Sequence, residues 1–404
     1  MRPTLTVLFL LLAGGYRLFA QEAHAPVTPI ANRSTREVRT GSPGAWGQIE
    51  SYQVPLSCPE KYVSLFQTPS QQVEWHLKAG TVEELGELLE SAGLTREESE
   101  SILYGAHVMS DSEGARVFPD EEKVFSLPVE TRVKLYSLLS HFQENRFHHR
   151  PIYINNENLS QWFQGAEIPL SAVEDVAQLA YPTPRGPGYF FADLPVTLRR
   201  ADSAVTERNL LKALLRRPGL IARVRLDCGV PLDQIADYWT AGYKNKEVLP
   251  LLESIVRTAD KPVIDVAHLL PPGARQLLNC FPSPVHGASG RYPDWFWTCY
   301  NFFLRSPVDI YADDPNRNSI LFTEFKPTMP PLQFGDLILL NSGNETVHGC
   351  IHIADDLVFT KNGPDIFSPW VLMRISEVVS FHDLYGDVTL GAYRKIPPSP
   401  AYEQ

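Results

Sequence analysis

Residues 334–363, FGDLILLNSGNETVHGCIHIADDLVFTKNG, constrain the fold more than any other stretch. Leu337 to Leu340 form an apolar run, Asn341 to Thr346 break it, and Val347 to Ile353 resume it. Asp355 and Asp356 then make a turn into Leu357 to Thr360. Short β-rich runs separated by Gly, Asn and Asp predict antiparallel strands joined by a loop and a hairpin. Alternation puts His348, Cys350 and His352 on one face and Gly349, Ile351 and Ile353 on the other. A strand that holds a histidine between buried neighbours is a platform for a catalytic base. The same position also suits a satisfied core histidine, and the residues alone leave both readings open.

Around this stretch the chain is long, at 404 residues, so two domains are expected. A formal net charge of -11 argues against nucleic acid or an anionic membrane surface as the main partner. Arg2, the apolar run Leu5 to Leu12 and the small residues Ala20, Ala23 and Ala25 read as an export signal over residues 1–25. That run is too short to span a bilayer, and no later stretch is a membrane-spanning candidate. A periplasmic or extracellular location follows as an expectation. The five cysteines, Cys58, Cys228, Cys280, Cys299 and Cys350, are an odd set without a CxxC, so one thiol at least stays unpaired in a monomer.

Residues 26–60 are rich in Pro, Ser, Thr, Gly and Arg and read as a linker or arm. A mostly helical domain of unknown role is expected over 61–272. Thr81 with Glu84 and Thr95 with Glu98 have capping-box spacing, and Pro128 suits a first helical residue. Helical periods recur at 172–180, 207–215, 232–240 and 247–256, and Phe190 to Leu198 reads as a short strand. His148 and His149 read as a solvated or partner-facing cluster, not a metal site. An α+β domain is expected over 273–404. There Asp294 caps a helix that Pro307 ends, Trp370 to Ile375 and Val388 to Tyr393 are strands, and Phe381 to Tyr385 is a connection.

The pattern Gly335-Asp336-Leu337, apolar run, loop, His348-Gly349-x-Ile351-x-Ile353, turn and second strand resembles the NlpC-type cell-wall peptidases. The resemblance covers about the last third of the chain. It implies a papain-like fold, a helix packed on an antiparallel sheet, with a cysteine nucleophile on the helix and a histidine base on the sheet. It also implies an exported cysteine hydrolase that cleaves amide bonds in peptidoglycan stem peptides and requires no cofactor. The residues themselves give no metal site, since His348 and Cys350 would need a third ligand such as His352 or His286.

Carried over residue by residue, Cys299 is the nucleophile, His348 the base, and Thr360 or Asn362 the group that orients the imidazole. A thiolate gains from a helix N-terminus, where unpaired N–H groups lower its pKa. The family pattern places its cysteine directly after the Asp at the helix start, and here that position is Trp295, with Cys299 one turn further on. In a second register Thr298 caps a shorter helix beginning at Cys299, which restores the nucleophile. Cys299 also suits a buried core thiol in its aromatic run. The alternative function is therefore a catalytically inactive papain-like domain that binds cell-wall peptides or an envelope protein partner. A structural envelope protein with no pocket is a further alternative.

Overall fold

In a computed structural model of the protein, residues 37–396 are described, apart from 67, 69–71, 112–113, 157, 186–187, 243, 286–289 and 385. The expected export signal and the first part of the expected arm lie outside the described residues. The remainder of 26–60 is not an arm. It holds β1 (Arg39–Thr40) and β2 (Gln48–Leu56), and β2 pairs along its whole length with residues 217–225, Gln48 opposite Arg225 and Leu56 opposite Arg217. Ile49, Ser51 and Val54 are its buried positions. A polar composition concealed this strand, because its partner lies far along the chain.

The chain then forms α1 (Glu60–Val63), β3 (Trp75–Leu77), α2 (Val82–Ser91), α3 (Arg96–Leu103), β4 (His107–Asp111), β5 (Gly114–Phe118), α4 (Glu121–Ser126) and α5 (Val129–Ser140). It continues through α6 (Arg146–His149), β6 (Ile152–Ile154), α7 (Leu159–Trp162), α8 (Leu170–Leu179), β7 (Tyr181–Pro182), β8 (Tyr189–Phe191), α9 (Leu194–Arg199) and α10 (Ala204–Leu214). Two small antiparallel sheets, in the orders β3-β5-β4 and β6-β8-β7, interrupt the helices. Thr95 closes a capping box on α3, accepting from Glu98 N at 3.1 Å while Glu98 Oε2 accepts from Thr95 N at 2.7 Å. Thr81 accepts from Glu84 N at 3.1 Å at the start of α2. Pro128 is the N-cap of α5, one position before the expected one. The strand expected over 190–198 divides into the end of β8 and all but the last residue of α9.

Next come β9 (Arg217–Arg225), α11 (Leu232–Thr240), α12 (Val248–Thr258), β10 (Val263–Asp265), α13 (Pro272–Leu277), α14 (Trp295–Asn301) and α15 (Arg317–Glu324). The last elements are β11 (Phe325–Pro327), β12 (Leu337–Ser342), β13 (Glu345–Ala354), β14 (Leu357–Lys361), β15 (Trp370–Arg374), α16 (Ile375–Asp383) and β16 (Thr389–Lys395). One sheet has the order β1-β2-β9-β10, and the largest has the order β11-β16-β12-β13-β14-β15, both antiparallel. Residues 381–383, expected in a connection, are instead the end of α16.

From Glu37 onward the chain is one compact unit. Its cores do not divide near residue 272. One core gathers buried residues from Cys58 to Leu215 and takes in Leu384. A second runs from Ile49 and Leu220–Ala274 directly into Trp295–Leu372, crossing the expected boundary. The β1-β2-β9-β10 sheet therefore belongs with the C-terminal elements, and the helical part ends near 215. Side chains hold the join: Arg374 donates to Ser51 Oγ at 2.8 Å and to Asp356 at 3.2 Å, and Arg39 lies 3.0 Å from Asp356.

Candidate functional site

The site is built on β12, β13 and β14. Leu340 faces His348, Ile338 faces Cys350, and Ile351 faces Phe359 across the ladders. Period-two alternation then separates the two faces of the sheet. On one face Ile338, Leu340, Cys350, Val358, Val371 and Met373 cluster under Val378 of α16. On the other Leu337, Leu339, Ile351, Ile353 and Phe359 cluster with Trp295, Phe296 and Cys299 of α14 and with Phe302 at its C-terminal end. His348 belongs by register to the α16 face, and Gly349 to the α14 face. The structure thus sends Cys299 and His348 to opposite sides of the sheet.

Asp294 fixes the register of α14. Its Oδ1 accepts from Trp297 N at 2.8 Å and its Oδ2 from Ala312 N at 2.6 Å. Thr298 is inside the helix, where its hydroxyl donates to Asp294 O at 2.7 Å and accepts from Trp370 Nε1 at 2.9 Å. The second register, with Thr298 as cap and Cys299 opening the helix, is therefore corrected. The helix also stops at Asn301, short of Pro307, because the Asn301 amide clips the following loop at Val308 N (2.6 Å) and Val308 O (2.9 Å).

Trp295 is the first residue of α14, and its ring lies on Gly349. A Cβ on Gly349 would stand 2.5 Å from Trp295 Cε3 and 2.8 Å from Cζ3. Cys299, one turn on, is buried at 5% exposure. Burial, then nearby Cys350 and Asp294, push its thiol well above the ordinary value. A thiol held protonated in this way is a poor nucleophile. Brief alkylation of the folded protein is expected to modify exposed Cys280 and spare Cys299, Cys350 and Cys58, with all of them reacting in denaturant. Peptide mass spectrometry reads the outcome, and fast labelling of Cys299 would contradict the burial argument.

The other expected residues do meet. His348 Nε2 lies 2.8 Å from Thr360 Oγ1, and Thr360 donates to Asn362 Oδ1 at 3.2 Å. Asn362 Nδ2 in turn contacts Met373 Sδ at 3.0 Å, which orients the amide with its oxygen toward Thr360. Having spent its one proton on Asn362, the Thr360 hydroxyl accepts from His348, so Nε2 carries the hydrogen. Burial, and then the His382 ring stacked at 4.2 Å, hold His348 well below the ordinary histidine range. This is a neutral, fully buried imidazole.

Asp336 of the Gly-Asp pair also has a structural task. It accepts from Arg394 at 2.9 and 2.7 Å and from Gln333 N at 2.7 Å, tying the start of β12 to β16. Gly335 has φ +88° and packs so closely on Phe303 that a Cβ would stand 2.4 Å from the ring. His352 lies 3.3 Å from the Tyr238 hydroxyl.

The sequence reading missed Lys361 and His382. Lys361 is fully buried, donates to Gly363 O at 2.6 Å and Asp365 O at 3.0 Å, and is brought down to about 8 by burial. Alternation along β14 puts it on the α14 face beside Gly349, a position the strand pattern could have given. His382 had no comparable signal, because Phe381 to Tyr385 reads as a connection in the sequence and the helix that carries His382 is not legible there. Among the described residues no group of three His, Cys, Asp or Glu side chains is placed to hold a metal, and no helix is long and apolar enough to cross a membrane. Compared with known proteins, the chain matches no family model, no curated protein and no solved structure.

Proposed function

We propose that this is an exported protein whose C-terminal part is a catalytically silent papain-like domain of the NlpC type, which binds peptidoglycan stem peptides without cleaving them. An Asp-capped helix packed on an antiparallel sheet, followed by Gly335 and Asp336 in the turn into β12 and by His348 on β13, supports the likeness. The observation that carries the silent reading is Trp295 seated on Gly349 where the family pattern places its cysteine. Nucleophilic acyl transfer needs a thiolate within hydrogen-bond reach of its base. Cys299 and His348 face away from each other across a sheet, and each is held in its neutral form.

The test incubates the full chain with purified peptidoglycan sacculi. The expected result is co-sedimentation with the sacculi, no release of soluble muropeptides, and unchanged sedimentation for Cys299→Ala. Muropeptide release that disappears in Cys299→Ala would overturn the silent reading. Failure to sediment would overturn the ligand and leave an envelope protein as the partner class to pursue.

A further inference from the structure

Helix α16 is fastened at both ends to different bodies. At its start Glu377 Oε2 accepts from Arg374 N at 3.1 Å, and Val378 is fully buried on the large sheet. Just past its end Leu384 joins the core of the helical part, Phe381 packs on Tyr153 with ring centroids 5.7 Å apart, and Asp383 pairs with Arg185 at 3.5 Å. Between these anchorages His382 lies almost parallel to His348, at 4.2 Å and 24°. His382 Nε2 is buried and has no hydrogen-bond partner among the described residues. Two imidazoles in this arrangement tolerate each other only while uncharged, since a buried charge needs a partner.

The groups around the pair offer none. β13 contributes His348 and the thiol of Cys350, β14 contributes Thr360, which is bonded to His348, and Asn362 just past β14 accepts from Thr360. β15 ends in Arg374, held by Asp356 and Ser51. On α16 itself Glu377 is taken by Arg374 N and Asp383 by Arg185, whose other partner is Asp387. From the helical part Tyr153 and Arg185 face the helix, and a guanidinium repels an imidazolium.

We propose that α16 is a proton-operated latch between the helical part and the large sheet: a proton taken up at His382 breaks the stack on His348 and releases the helix from the sheet. Burial has already brought His382 down to about 4, against an ordinary 6.5. A group whose pKa is lowered in the folded state gives stability that is complete above the ordinary value and is lost as pH falls toward the folded one. The latch is therefore closed at neutral pH and loosens between about 6.5 and 4. Its logic does not depend on what the protein binds.

Amide hydrogen exchange on the full chain tests it, with rates converted to protection factors to remove the intrinsic effect of pH. Between pH 7.5 and 5.5 the protection of residues 375–383 is expected to fall roughly tenfold through His382 alone. In His382→Phe, which keeps an aromatic ring and cannot be charged, the fall is expected to be smaller by about that tenfold, leaving only the part that the other buried histidines contribute. Unchanged protection in the wild type, or an equal fall in His382→Phe, overturns the latch. Should the variant fold poorly, a carbon-detected imidazole titration of the wild type decides: His382 titrating well below 6 supports the latch, and titration at 6.5 or above overturns it.

Discussion

Lowering the pH from 7 to 5 is expected to remove about 5 kcal/mol of folding stability, a large part of the 5–15 kcal/mol typical of a folded protein. The cause is a set of buried histidines. Burial pushes His148 down to about 3 and both His352 and His382 to about 4, and His348 lies well below the usual range. His148 stands edge-on to Tyr136 at 4.6 Å with Nε2 unpartnered among the described residues, so charging it finds no compensation. All these groups are depressed in the folded state, so the unfolded chain binds the extra protons and stability falls as pH drops through 6.5. By pH 5 each of the three with a stated value has given up about 2 kcal/mol. Asp193 opposes them. Burial raises it to about 6 despite the Tyr136 hydroxyl at 2.7 Å, so acid relieves its charge and returns about 1 kcal/mol. Urea midpoints between pH 7.5 and 5 check the balance. A midpoint that does not move over that interval contradicts it, and His148→Leu should shallow the pH slope while the other histidines keep part of it.

How much of this was legible in the sequence depends on how far each feature reaches. The caps at Thr95 and Asp294 and the strands within 337–361 are local, and residues a few positions apart suffice to specify them. β2 is not local, because its partner β9 lies beyond the helical part and only the folded chain brings the two together. The β-branched residues of Ile375–Asp383 hid α16, whose helical state is set by the Arg374–Glu377 cap and by Val378 on the sheet. The alternation of His348 and Gly349 was readable, whereas the face on which α14 lands was not. A glycine within a strand marks a close approach of another group, so Gly349 was the available hint that the helix covers the face away from His348.

Gly349 therefore yields the sharpest single-residue expectation at the site. Gly349→Ala is expected to cost about 1–3 kcal/mol, because overpacking a filled core forces side chains off their rotamers. The added methyl meets the six-membered ring of Trp295, and that ring cannot simply swing aside. It is 8% exposed, lies against Phe296 at 5.5 Å, and stands at the head of a helix that Asp294 anchors. Trp295→Ala on its own is expected to cost about 3–5 kcal/mol through the cavity it leaves. The informative quantity is their combination. If the two groups occupy one space, adding Gly349→Ala to Trp295→Ala should cost nothing further or stabilise slightly. The double-mutant cycle should then show a coupling of at least about 1 kcal/mol in the compensating direction. Urea unfolding of the four proteins measures it. Additive costs would place the Trp295 ring elsewhere and remove the ground for reading the nucleophile position as filled, whereas compensation would locate the ring in that position by an energy as well as by a distance.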